Sequence, residues 1–169
     1  MTTSIEINCS FKEMMDVDLL VENPRNPNIH TPQQIELIAK VVKYRGWRSP
    51  IVISKQSGFI VCGHGRLQAA KLLNARSVPV DIQEFKNDAD EWAHMIADNK
   101  LAEASKLDNT ILKDILEELD SGEFDMDVTG FDSMEIEKLM NQVHQEINEQ
   151  ELDELLDTEN ECPKCGYEW

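Results

Sequence analysis

One junction constrains this chain more than any other feature. A β-rich run, Phe59 to Cys62, ends in Gly63-His64-Gly65-Arg66 and passes directly into LQAAKLLNA, whose Leu67, Ala70, Leu72 and Leu73 mark a short helix. A strand that ends in glycines and opens into a helix gathers backbone N–H groups at the positive end of the helix dipole, an arrangement suited to phosphate. Arg66, in the first turn, can fork onto a phosphate, and His64 can donate a further hydrogen bond. The run lacks the Gly-Lys-Ser/Thr ending of a P-loop and the spacing of a dinucleotide fingerprint. Taken alone, the pattern equally fits a tight turn with Arg66 in solvent and His64 filling space.

The flanking sequence supplies the other elements. The Asn- and Pro-rich stretch NPRNPNIH reads as an irregular segment lying across a surface. Thr31, Pro32 and Gln34 then provide an N-cap, a first-turn proline and a capping-box partner for a helix carrying Ile35, Ile38, Ala39 and Val42, with Gly46 as its stop. Pro50 to Ile53 pairs with Phe59 to Cys62 as a predicted hairpin, and Asn74 caps the next helix. Val78 to Phe85 is a strand, Asp88 to Ala104 and Asn109 to Leu119 are helices, and a last helix begins near Ser133. Three strands before an all-helical remainder predict a mixed α+β fold rather than a doubly wound sheet.

Charge divides the chain. The formal net charge is −17 over 169 residues, yet residues 1–106 hold 13 basic and 13 acidic side chains, and residues 107–169 hold 3 and 20. Residues 23–76 carry nine basic side chains against Glu36 alone. Net charge therefore does not exclude a nucleic-acid partner for the first part, while the remainder reads as an acidic appendage. The N-terminus lacks a signal-peptide pattern and no apolar run approaches the ~20 residues of a membrane span. Four scattered cysteines make no disulfide framework. The expectation is a reduced, cytoplasmic protein without a membrane partner.

The order of elements and several motifs resemble the N-terminal domain of the ParB/sulfiredoxin superfamily. The likeness is to the variant found in phage and prophage proteins, called ParB N-terminal nuclease-like, and at the front of some DNA methyltransferases. It rests on Arg25-Asn26-Pro27-Asn28-Ile29-His30-Thr31, the step from Gly46 to Ile51, Gly63-His64-Gly65-Arg66, Val78-Pro79-Val80, the stretch from Ala97 to Ala102 and the loop from Asp127 to Phe131. It spans about residues 14–140. The fold so implied is a small mixed sheet with flanking helices, followed by a helical acidic C-terminal part. The implied organisation is a nucleotide-binding domain over residues 14–106, a helical extension over 107–145, an acidic linker over 146–161 and a zinc-knuckle-like tail over 162–169.

Relatives of this kind bind a nucleoside triphosphate at the turn, ATP in sulfiredoxins and CTP in partition proteins. Carried over, Gly63, His64, Gly65 and Arg66 form the phosphate loop, Asp98 and Asn99 match the Glu-Asn pair near phosphates and Mg²⁺, and Asn26 and His30 line the same cleft. The chain departs from partition proteins at His64 and Gly65, where their loop has a Glu and a second Arg, and the acidic group associated with slow CTP hydrolysis is missing. Sulfiredoxin's nucleophilic Cys is replaced by His64, which argues against sulfinic-acid repair, and Cys62 reads as a buried structural thiol. Residues 107–169 look too acidic and too short for a helix-turn-helix that faces phosphate.

Outside the turn, Lys40, Lys43, Arg45 and Arg48 are either DNA-phosphate contacts or the solvated face of a helix. Trp47 between arginines suits packing a corner better than stacking on a base. Cys162-Pro163-Lys164-Cys165-Gly166 has the shape of one zinc knuckle, where a full site needs two, so a zinc shared in a homodimer and an unmetallated tail are both open. The functional expectation is CTP or ATP binding with Mg²⁺ in phage or mobile-element DNA metabolism. That means partition or modification, with DNA and a DNA methyltransferase or other phage DNA-processing protein as partners. Slow NTPase turnover stays open. The alternatives are an adaptor recruiting a partner through the acidic tail, and a metal-dependent nuclease or small-molecule kinase.

Overall fold

Thr31 starts the first long helix by accepting, through Oγ1, the Gln34 N–H at 3.2 Å. The computed structural model describes residues 5–120, 122 and 124–141. Helix α1 (Pro32–Arg45) carries the predicted proline in its first turn and stops at Gly46, whose φ is +73°. The predicted capping box is only half formed, because Gln34 Oε1 meets His30 Nδ1 at 3.0 Å instead of reaching back to Thr31. Gly46 also lets the N-terminal segment pass close by. Trp47 N–H donates to Glu6 O at 2.8 Å, and a Cβ on Gly46 would lie 2.6 Å from that same carbonyl.

Four strands form one sheet: β1 (Glu13–Asp16), β2 (Ile51–Ser54), β3 (Ile60–Cys62) and β4 (Ser77–Gln83), in the order β1-β4-β2-β3. β2 and β3 make the expected antiparallel hairpin, β2 and β4 are parallel, and β1 runs antiparallel to β4. β1 adds a strand to the three predicted. Its sequence, EMMD, has no β-branched residue, and pairing with β4 fixes it at the sheet's edge. Helix α2 (His64–Leu72) carries the chain past β2 to β4 and packs on α1. Asn74 closes its C-terminal end with a φ of +54°. Helix α3 (Asp88–Ala104) packs on β3.

The main core joins Val42, Trp47, Ile51, Ile60, Leu67, Ala70, Val78 and Val80. Trp47, at 2% exposure, packs the corner after α1 as expected. Val61, Cys62 and Met95 form a second cluster between sheet and α3. The chain divides into two compact units, Met1–Lys106 with Val128–Gly130 and Leu107–Asp127 with Phe131–Trp169. In the second, helix α4 (Asn109–Leu119) is capped by Asp108 Oδ1 and presents Leu112 and Leu116 to a cluster with Phe131, Ile136, Leu139 and Met140. Residues 133–141 are helical and begin with a capping box between Asp132 and Glu135. The acidic linker expected over residues 146–161 lies outside the described residues. Among those described, no helix is long and apolar enough to cross a membrane.

Replacing Gly46 by Ala places a Cβ in a left-handed conformation against the Glu6 carbonyl. The substitution is expected to destabilise the first unit by more than ~1 kcal/mol, read as a lower urea midpoint at unchanged m-value.

Candidate nucleotide site at the start of α2

All three residues of β3 are buried, and the chain leaves it through Gly63, whose φ of +100° is a left-handed conformation. Gly63 is the N-cap of α2 and offers no side-chain cap, so the first-turn N–H groups keep their capacity to donate. The Arg66 side chain folds back over this bare position: a Cβ on Gly63 would sit 3.0 Å from Arg66 Nε and Nη2. Gly65 serves close approach, since a Cβ there would lie 3.0 Å from Ile38 Cδ1 and 3.2 Å from His30 Cε1.

A cleft of about 200 Å³ opens over this turn. Its walls are Asn28 and His30 from the segment before α1, Ile38 from α1, Val61 to Arg66 from the junction, and Asp98 and Asn99 from α3. Arg66 Nη1 is fully buried and has no hydrogen-bond partner. Burial lowers the Arg66 pKa, opposed by the neighbouring Cys62, Asp98 and Cys9. Burial also pushes the Cys62 thiol up to about 12, with the Asp98 carboxylate, which accepts its hydrogen bond, adding to the shift. Cys62 is therefore protonated and inert near neutral pH, as expected of a structural thiol. Asn99 Nδ2 donates to the Met95 carbonyl at 2.9 Å, which leaves its Oδ1 for the cleft side.

His64 is turned inward, at 5% exposure, and its Nε2 accepts the backbone N–H of Asn23 at 3.2 Å. An accepting Nε2 requires the neutral ring with the proton on Nδ1. Burial lowers the His64 pKa, Glu22 opposes the shift and His30 adds to it. Asn23 is buried as well and donates through Nδ2 to Glu91 Oε1 at 3.3 Å. Ser57 Oγ donates to the same oxygen at 3.0 Å. Two residues further on, the Arg25 guanidinium stacks 4.1 Å above the Trp92 ring of α3.

Seven of the eight residues expected at a nucleotide site thus border one cleft: Gly63, His64, Gly65, Arg66, His30, Asp98 and Asn99. Asn26 is placed differently. Its amide oxygen and nitrogen are both spent on the backbone of Asn28, at 3.2 and 3.3 Å, and Asn28 takes the position on the cleft wall. Asn23 and Glu91 gave no sequence signal, being 68 residues apart. Lys40, Lys43 and Arg45 lie on α1, with Lys43 and Arg45 in its last turn, where cations suit the helix dipole. Arg48 Nε donates to the Arg45 carbonyl at 3.2 Å. Cys162 and Cys165 lie outside the described residues. Among the described ones, no three His, Cys, Asp or Glu side chains gather where a metal ion could be held.

Comparison with known families decides the kinship. Residues 5–99 match the family described as the ParB N-terminal domain. The chain belongs to that family. Residues 110–165 match a second family, the ParB-methyltransferase HTH domain. The match puts a helix-turn-helix family on the residues read as too acidic and too short for a helix-turn-helix that faces phosphate. Acidity reports the surface a helix pair presents and not the order of its helices. A curated relative, the "ParB-like nuclease domain-containing protein YnaK" of Escherichia coli (strain K12), is 38% identical over 55 residues, which cover 32% of this chain and 62% of that protein. The chain therefore spans less than two thirds of that relative's length. Among solved structures, the C-terminally truncated chromosome-partitioning protein ParB from Caulobacter crescentus complexed with CTP-gamma-S superposes with a TM-score of 0.54 at 20% identity, over 65% of this chain and 63% of that one. The same protein complexed to the centromeric parS site gives a TM-score of 0.45 at 16% identity, over 77% and 65%. The family match and the superposition on the CTP-gamma-S complex establish the ParB N-terminal domain fold.

His64 in this ParB N-terminal domain has a measurable signature. The unfolded chain returns it to its ordinary value near 6.5, so below that pH the unfolded state binds the extra proton. Stability from the neutral ring is complete above the ordinary value and is lost as pH falls through the lowered folded value. Between about pH 7 and about pH 5, His64→Gln, which keeps an acceptor for Asn23, is expected to lose less stability than the parent in paired urea titrations.

Proposed function

We propose that the first unit binds a nucleoside triphosphate, CTP or ATP, through the turn from Gly63 to Arg66, in the service of DNA partition or modification. The observation that carries this reading is the buried, unpartnered Arg66 Nη1 beside an uncapped helix N-terminus. A buried guanidinium nitrogen without an acceptor is costly, and a phosphate oxygen is the acceptor that fits both it and the first-turn N–H groups. The CTP-gamma-S complex of the solved ParB supports a nucleotide in a domain of this fold.

In this reading the α2 amides and Arg66 grip the phosphates. Asp98 offers a carboxylate from α3, suited to a Mg²⁺ held mainly by the phosphates themselves. His64 supports the turn from behind, because its Nε2 is committed to Asn23, and Asn28 and His30 face the ligand from the segment before α1. Lys43 and Arg48 are the exposed cations for a salt-dependent contact with DNA.

A second reading is favoured by the charge split. The last 63 residues carry 20 acidic side chains against 3 basic, a surface that repels DNA and attracts a basic protein. The unit matching a helix-turn-helix then recruits a protein partner, and the cleft need not turn over any ligand.

Titration calorimetry with CTP and ATP, each with Mg²⁺, tests the first reading. Binding of at least one triphosphate is expected, weakened at least about tenfold by Arg66→Ala, since hydrogen bonds to charged groups are worth roughly 1.5–3 kcal/mol. No heat with either ligand, or unchanged affinity in Arg66→Ala, overturns it. Capture of a basic partner that survives Arg66→Ala but not deletion of residues 146–161 favours the second.

A further inference from the structure

Asn23 spends every polar group it owns. Its N–H donates to His64 Nε2, its carbonyl accepts the Asn26 N–H at 3.0 Å, its Oδ1 accepts the Arg25 N–H at 2.9 Å, and its Nδ2 donates to Glu91 Oε1. The residue is 5% exposed and Glu91 is 1% exposed. Neither borders the cleft, yet each belongs to an element that does. Asn23 begins the segment that carries Asn28 and His30, and Glu91 stands on α3 two turns before Asp98. The His64 ring, in the turn from Gly63 to Arg66, is the other group that Asn23 holds.

Glu91 makes little sense as a stabiliser of the fold. Its Oε2 is buried and unpartnered, and a carboxylate so placed is less favourable than a packed apolar side chain of similar size. What its other oxygen holds explains it better. Through Oε1, α3 is tied to the 23–30 segment and, by Ser57 Oγ, to the β2–β3 turn.

We infer that Asn23 and Glu91 are positioning residues for the triphosphate site. Their buried hydrogen bond holds the 23–30 segment, with Asn28 and His30, against the phosphate turn and α3. The inference rests on the nucleotide reading above. Its mechanical half, that the bond restrains the segment, stands separately. Breaking the bond frees the segment, and the ligand must then order it on binding, which lowers affinity without removing any group that touches phosphate.

The test uses Asn23→Ala, Glu91→Ala, Glu91→Gln and Ser57→Ala in the full chain, with three readouts: thermal unfolding, amide exchange between Arg25 and His30, and affinity for CTP and ATP with Mg²⁺. Asn23→Ala and Glu91→Ala are each expected to accelerate exchange in that segment and weaken binding by about tenfold, with the double variant no worse than either single one. Glu91→Gln keeps an acceptor at Oε1 and is expected to bind within about threefold of the parent. Ser57→Ala removes a bond to the same carboxylate from the other side, so it lowers thermal stability and leaves affinity alone, which separates positioning from general support. Parent-like affinity in Asn23→Ala overturns the inference, as does a loss of affinity in Ser57→Ala as large as that in Glu91→Ala. If Glu91→Ala does not fold, Asn23→Ala and Glu91→Gln decide. If the parent itself binds no triphosphate, the functional reading fails and exchange alone judges the restraint, which parent-like protection in Asn23→Ala overturns.

Discussion

Gly63 takes the chain through a left-handed conformation between β3, buried along its whole length, and α2, which starts on the next residue. A side chain there would need both a disfavoured backbone and the space that Arg66 fills. The parallel pairing of β2 with β4 depends on this turn, since β3 and β4 flank β2 and α2 makes the passage between them. The cleft depends on it equally, because the bare Gly63 leaves α2 without a side-chain cap and leaves room for the Arg66 guanidinium beside it.

Electrostatics around the cleft run inward rather than across the surface. Arg66 is half-buried among a protonated thiol, a second half-buried cysteine and one carboxylate. No acidic side chain pairs with its Nη1. The cation is thus held ready at a fixed place, with little of the rotamer freedom a surface arginine would lose on binding. The net charge of the chain says nothing about this, because it originates beyond residue 106.

How much of this was legible in the sequence follows from how local each determinant is. Thr31, Pro32 and Gly46 marked α1 because caps and stops act within one turn, and α3 and α4 run over the residues their patterns predicted. The glycine-bounded turn was equally legible, and with it most of the cleft lining. β1 was not, because EMMD has no strand propensity of its own and is made a strand by its partner. The choice between Asn26 and Asn28 turned on which asparagine spends its amide on a local turn, which one-letter spacing does not reveal. Gln34 was read as a capping partner and found the His30 ring instead. Asn23 opens an irregular Asn- and Pro-rich stretch, and Glu91 is one of three acids in the first turn of α3. Their importance arises only when α3 folds against the segment before α1. Acidity hid the family of the second unit, since charge pattern and helix order are independent properties.

The sheet ends on two short edges, β1 with four residues and β3 with three. β1 places Glu13 and Asp16 at its two ends, and β3 is joined at its margin by the Val21–Phe59 bridge. Edges this brief, one of them flanked by like charges, make poor templates for strand addition. A second copy or a partner that meets this unit therefore has little backbone to pair with. Contacts made by side chains, set by shape and charge, can change without disturbing the sheet.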